Sequence, residues 1–152
     1  MCGDEFDESL WGRAPGALEQ AAARRRMLAL YRSQRDQVVA ESFTIAQAAS
    51  WAGVEPATIE ALVAAGELLV VETGAGLMIP RWQLRTSESG TRTPIEGVDE
   101  LARAFGGDVV SLARWMSRPN DEFAGATPAS VLAAGRVADV VELARNLTSA
   151  GW

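Results

Sequence analysis

The residue types that carry most enzyme chemistry are missing from this sequence. It has no histidine, which removes the commonest general base and the commonest metal ligand. All fourteen basic residues are arginine, so Schiff-base and lysine-nucleophile chemistry has nothing to work with. Cys2 is the only cysteine, which leaves neither a disulfide framework nor a cysteine metal site. Carboxylates and hydroxyls remain, and no pair of them has a spacing that suggests convergence on one reacting atom. The chain is therefore read as a non-enzyme, with no cofactor and no metal.

Arginine can still do recognition chemistry, and its placement is uneven. The net charge is −6, but residues 1–12 hold four acids and no base, and residues 13–35 hold six arginines against Glu19 alone. Residues 36–80 hold six acids and no base. A chain of this kind binds nucleic acid only through a local basic face. The candidates for such a face are Arg24, Arg25 and Arg26 in the first predicted helix, and Arg81, Arg85 and Arg92 further on. For the first three, the plainer use is a solvated helix face rather than phosphate contact.

The elements that would position these residues can be read from the caps and breakers. A chain of 152 residues, 48% hydrophobic and 22% charged, is globular, with one ordinary core or two small ones. No apolar run is long enough to span a membrane. The acidic N-terminus lacks a secretory pattern, so a cytoplasmic protein is expected. After an acidic tail over 1–15, Pro15-Gly16 opens a helix to about Val39, built from Ala, Arg, Leu and Gln. Leu18, Ala22, Met27, Leu30, Tyr31 and Val38 predict one apolar stripe along it. Thr44 and Gln47 form a capping-box signature for a short helix ended by Gly53. Pro56 opens a second, ended by Gly66. The runs Glu67–Glu72 and Gly76–Pro80 then flank turn residues and predict a β-hairpin. The polar stretch over 87–97 reads as a linker. Short helices are expected over Val98–Phe105, Val109–Met116, Pro128–Ala134 and Val137–Thr148. The predicted class is mainly α: an N-terminal basic helix over 16–40, a winged helix-turn-helix with one hairpin over 41–86, and a helical bundle over 98–152.

Within the middle segment, Ala49 is the small residue where two helices would cross. Gly53 sits at the turn, Val54 would plug it, and Ile59 and Leu62 anchor the second helix. Residues 41–86 thereby resemble the winged helix-turn-helix of excisionase-like and MerR-like regulators. The positions that would face base edges are Glu55, Pro56, Ala57, Glu60 and Ala61. None supplies the Arg, Lys, Asn or Gln that direct readout favours. Three uses stay open: packing or dimerisation, weak DNA binding through the arginines named above, and sequence-specific reading.

The C-terminal stretch carries the sharper pattern. Trp115, Pro119, Asn120, Gly125, Thr127, Pro128, Leu132, Gly135 and Val141 follow an order in which a helix ends in Trp and the chain passes through Pro-Asn to a Gly-x-Thr-Pro corner. Two more helices follow. Residues 98–152 resemble the toxin-binding domain of Xre/MbcA/ParS-type antitoxins, with Ala124 standing where a second glycine is common. The resemblance implies a RES-domain toxin that destroys NAD as partner, blocked by the C-terminal region. It also implies repression of the operon through the N-terminal part, with operator DNA as a second partner and a homodimer or a toxin–antitoxin hetero-oligomer as the assembly. Trp115, Pro119, Asn120, Gly125, Thr127 and Pro128 are expected to shape the module. The toxin-binding surface is expected at Arg145, Asn146, Ser149, Gly151 and Trp152, where a terminal Trp would suit an interface anchor. The alternative is a transcriptional or phage-type regulator whose C-terminal domain dimerises or recruits another protein.

Overall fold

Good helix formers fill the stretch after Pro15-Gly16, and there the chain forms one long helix, α1 (Ala17–Ala40), in a computed structural model that describes residues 14–149. Gln20 and Glu19 close its first turn, through Gln20 Nε2 to Pro15 O and Gly16 N to Glu19 Oε2. Among the described residues, those up to Ser33 form one compact unit and those from Gln34 a second, so the division falls inside α1. In the first unit, the expected apolar stripe does not bury. Leu18 is 86% and Met27 71% exposed, and Leu28, Leu30 and Tyr31 are exposed as well. Nine residues separate Leu18 from Met27, which places them about 180° apart around a helix. Met27, Leu30 and Tyr31 share one arc, and Leu18 and Ala22 lie on the other side. Only Val38, in the second unit, is buried.

The second unit opens with strand β1 (Ser42–Thr44), followed by α2 (Ile45–Ala52) and α3 (Pro56–Ala64). The capping box closes as its residues require: Thr44 Oγ1 accepts from Gln47 N at 3.1 Å, and Gln47 Oε1 accepts from Thr44 N at 2.9 Å. Gly53 ends α2 at φ 70°, a conformation that costs a side-chain-bearing residue roughly 1 kcal/mol or more. Ala48, Ala49, Ile59, Leu68 and Ile79 form a small core here, with Leu62 packed against it. Val54, expected to plug the turn, is instead 40% exposed. Its N–H reaches back to Ala49 O, and that backbone bond leaves the side chain outside.

Strands β2 (Val71–Thr73) and β3 (Gly76–Pro80) make the expected hairpin, and β1 adds to it in an antiparallel sheet of order β1-β3-β2. The strand before the turn is shorter than its apolar run suggested. Leu69 does not pair with a strand. Its N–H donates to Gln83 Oε1 at 2.6 Å, and its carbonyl accepts from Gln83 Nε2 at 2.9 Å. A buried glutamine amide thus stands in for a strand backbone. Gln83 lies in the 3-10 turn Arg81–Gln83 and also donates to Pro80 O.

Residues 87–97, expected as a linker, hold the turn and second strand of another hairpin, β4 (Leu84–Thr86) with β5 (Arg92–Pro94). The Ser87–Thr91 turn is tied by Ser87 N to Thr91 O and Thr91 N to Ser87 Oγ. Ile95, just past β5, is already buried. It shares a core with α4 (Val98–Phe105), α5 (Val109–Met116), α6 (Pro128–Ala133) and α7 (Val137–Ser149). Val98, Leu101 and Phe105 recur on one side of α4 and face this core, while Asp99, Glu100 and Arg103 stay exposed. Leu101, Met116, Val140 and Ala144 have no exposed surface. Each large apolar side chain among them contributes about 1.5–3 kcal/mol by leaving water. The fold is mainly helical with small antiparallel sheets, as the sequence predicts.

Candidate partner-binding site

Asn120 is the hub of the corner between α5 and α6. Its side chain accepts from Glu122 N at 2.9 Å, its carbonyl accepts from Phe123 N and Gly125 N, and its N–H donates to Ala126 O. The short side chain and the following 3-10 turn, Asp121–Phe123, fold the chain back on itself. Gly125 takes φ 86° and Thr127 caps α6 through Oγ1 to Ser130 N, with Pro128 buried in the first turn. Trp115 is half-buried, its ring 5.8 Å from that of Phe105. Pro119 is exposed.

Ala124, beside Gly125, also takes a left-handed conformation, with φ 53°. A non-glycine residue is strained there by about 1 kcal/mol. Ala124→Gly is accordingly expected to raise stability by up to about 1 kcal/mol, part of the strain relief being lost to the greater freedom of the unfolded chain. A thermal melt checks this. An unchanged or lower melting temperature would contradict it.

This corner packs beside α7, whose two sides differ. Val140, Val141 and Ala144 are buried, and Glu142, Arg145, Asn146 and Ser149 are exposed on the opposite side. Steps of three and four residues bring those four together on one arc of the helix. A shallow groove of about 230 Å³ lies along this arc, lined by Phe123, Arg136, Asp139, Glu142, Leu143 and Asn146 among others. Arg136 Nε holds Asp139 Oδ2 at 2.8 Å, an exposed pair of small energetic weight. The groove therefore offers half-buried apolar floor at Phe123 and Leu143 with charged and amide groups around it. That composition suits a protein surface better than a small substrate. The sequence reading chose Arg145, Asn146 and Ser149 and omitted Phe123, Arg136, Asp139, Glu142 and Leu143. The helical spacing of the α7 members was the available signal. Gly151 and Trp152 lie outside the described residues, as do Cys2 and the acidic residues of the N-terminal stretch.

The arginines proposed for DNA have varied surroundings. Arg24, Arg25 and Arg26 are exposed in the first unit. Arg81 is exposed, with its guanidinium over the Phe43 ring at 4.5 Å. Arg85 is half-buried and donates to Ala133 O at 3.2 Å. Arg92 donates to Trp51 O at 2.8 Å and lies over the Trp51 ring. The last two thus hold the fold together. Among the described residues no helix is long and apolar enough to cross a membrane, and no group of three acidic, cysteine or histidine side chains is placed to hold a metal ion.

Residues 100–143 match the family described as the antitoxin Xre/MbcA/ParS C-terminal toxin-binding domain. The match runs from the first turn of α4 into the middle of α7 and takes in Trp115, the whole Asn120 corner and the groove floor. Arg145, Asn146 and Ser149 lie just beyond it. No curated protein matches the chain. Among solved structures, the NMR structure of Rv2175c is similar, at a TM-score of 0.53 and 19% identity over 70% of this chain and 80% of that one. A likeness at that identity concerns the fold.

Proposed function

We propose that this chain is the antitoxin of a type II toxin–antitoxin system, and that its C-terminal helical domain binds and blocks a RES-domain, NAD-degrading toxin. The observation that carries the reading is the family match over residues 100–143, which falls on a bundle with its own core. In this reading the protein works in the cytoplasm, is not an enzyme and uses no cofactor. Its partner is the toxin, in a hetero-oligomer or with the antitoxin as a homodimer. The inhibitory surface is the exposed arc of α7 and the end of the chain: Arg145, Asn146, Ser149, Gly151 and Trp152. Co-expression tests both parts. The full chain should relieve the growth arrest caused by a RES toxin, and the chain lacking residues 143–152 should not. Rescue that survives the deletion would move the surface elsewhere, and no rescue by the full chain against a RES toxin encoded beside its own gene would sink the antitoxin reading.

The second reading, a DNA-binding transcriptional or phage-type regulator, has its own support. Residues 41–86 run strand, helix, left-handed turn, helix and hairpin, the order of a winged helix-turn-helix. Against sequence-specific reading, Glu55, the N-cap of α3, and Glu60 on that helix are exposed, where carboxylates repel phosphate. Autoregulation, if this segment serves it, draws on arginines outside α3.

A further inference from the structure

A second concave site lies within the unit that begins at Gln34, on residues distinct from the α7 groove. Its walls are the end of α1, the 3-10 turn after β3, and the last turn of α5 with the loop beyond. The cleft measures about 380 Å³, and Glu41, Arg81, Trp82, Arg114, Ser117 and Arg118 are among its lining residues. Three arginines and one glutamate are among the lining residues, so the lining carries two positive charges in excess. None of the three arginines is in an ion pair among the described residues; the ion pairs are Arg103–Asp99 and Arg136–Asp139. Packing of the Arg81 guanidinium over Phe43 orients it without giving its N–H groups an acceptor. Trp82, one of the lining residues, also carries an orphan donor: its Nε1 is buried, with no hydrogen-bond partner among the described residues.

We propose that this cleft binds a phosphate monoester, with its oxygens shared among Arg81, Arg114 and Arg118, beside the Trp82 indole. A phosphate fits better than a carboxylate on two counts. Its charge of nearly −2 matches the excess of the lining. Its three terminal oxygens can also use more donors than a carboxylate's two, and guanidinium forks are shaped for such oxygens. The cleft has room beyond the phosphate for the group that carries it, whereas a nucleic-acid phosphodiester, with one charge and two terminal oxygens, matches the lining no better than a carboxylate does.

The test uses the full ¹⁵N-labelled chain, with the Trp82 indole resonance assigned by its loss in Trp82→Phe. Inorganic phosphate is titrated at constant ionic strength, and then a short duplex DNA of arbitrary sequence. Phosphate should shift the Trp82 indole N–H. Arg114→Gln with Arg118→Gln should weaken that binding about tenfold or more, and Arg118→Gln alone, at an exposed site, should weaken it with the fold intact. Arg136→Gln, in the α7 groove, should leave it unchanged. A response to phosphate with no matching shift at lower DNA concentration supports the monoester, and a matching shift with DNA at lower concentration overturns it in favour of a nucleic-acid backbone. A resonance unmoved by both, or moved equally in the arginine variants, overturns the proposal. Toxin neutralisation is a separate readout, so either reading can fail without the other.

Discussion

Gln83→Leu is expected to destabilise the protein by about 2–4 kcal/mol, through hydrogen bonding and not through packing. The side chain is buried, with no exposed surface, and leucine nearly matches its volume, so no large cavity opens. What is lost is the acceptor for Leu69 N–H and the donor to the carbonyls of Leu69 and Pro80. Three backbone groups then lose their partners away from water, at about 1–3 kcal/mol for each that finds no substitute. Urea unfolding should show a lower midpoint with an unchanged slope. Gln83→Glu separates the contributions. It keeps an oxygen for Leu69 N–H but turns the other towards two carbonyl oxygens, so it should be at least as destabilising. A Gln83→Leu variant within about 0.5 kcal/mol of the parent would mean that water or a shifted backbone replaces the amide.

Gly97→Ala is expected to cost a similar amount, about 2–4 kcal/mol, for two separable reasons. Gly97 caps α4 at φ 87°, where an alanine is strained whatever the space. A Cβ placed there would also lie 2.4 Å from Val137 Cγ1, on the first turn of α7. Val137→Ala removes the methyl groups that collide and leaves the backbone strain. The double variant should therefore be more stable than the sum of the two single changes implies, by about 1–2 kcal/mol, measured as the coupling in a double-mutant cycle. Additive losses would show that the contact with Val137 is not the source. Because the collision joins α4 to α7, a variant that folds with α7 displaced should also neutralise its toxin poorly.

The helices from α4 to α7 were legible because their signals are local. Asp108 caps α5 through Ser111, Thr127-Pro128 opens α6, and Gly106 and Gly135 stop helices in left-handed turns. Each signal lies within four residues of what it governs. The corner at Asn120 was legible for the same reason. What escaped depends on distant residues. β1 is three residues long and becomes a strand only by pairing with β3. Leu84–Thr86 and Arg92–Pro94 are too short to show an alternating period, so the turn chemistry between them read as a linker. Gln83 has no local signature, since its partner is Leu69, fourteen residues earlier. On α1 the intervals mislead in another way: Leu18 and Ala22 lie on the side away from the arc that Met27, Leu30 and Tyr31 share, and that arc is exposed. For the site, Phe123 joins the α7 residues only because the Asn120 corner brings it there.

The last turn of α7 is held by Thr148, whose Oγ1 lies 3.0 Å from Ala104 O, 2.9 Å from Phe105 O and 3.2 Å from Ala144 O. A hydroxyl has a single proton to give, so at any moment one of these carbonyls receives it. The anchor is therefore degenerate: three arrangements of nearly equal length keep roughly RT ln 3, about 0.6 kcal/mol of entropy, in the bound state. Arg145, Asn146 and Ser149 are carried on a helix end that is pinned in position while its fastening stays free to switch. A partner that docks on this end meets a surface already in place and need not bear the cost of ordering it.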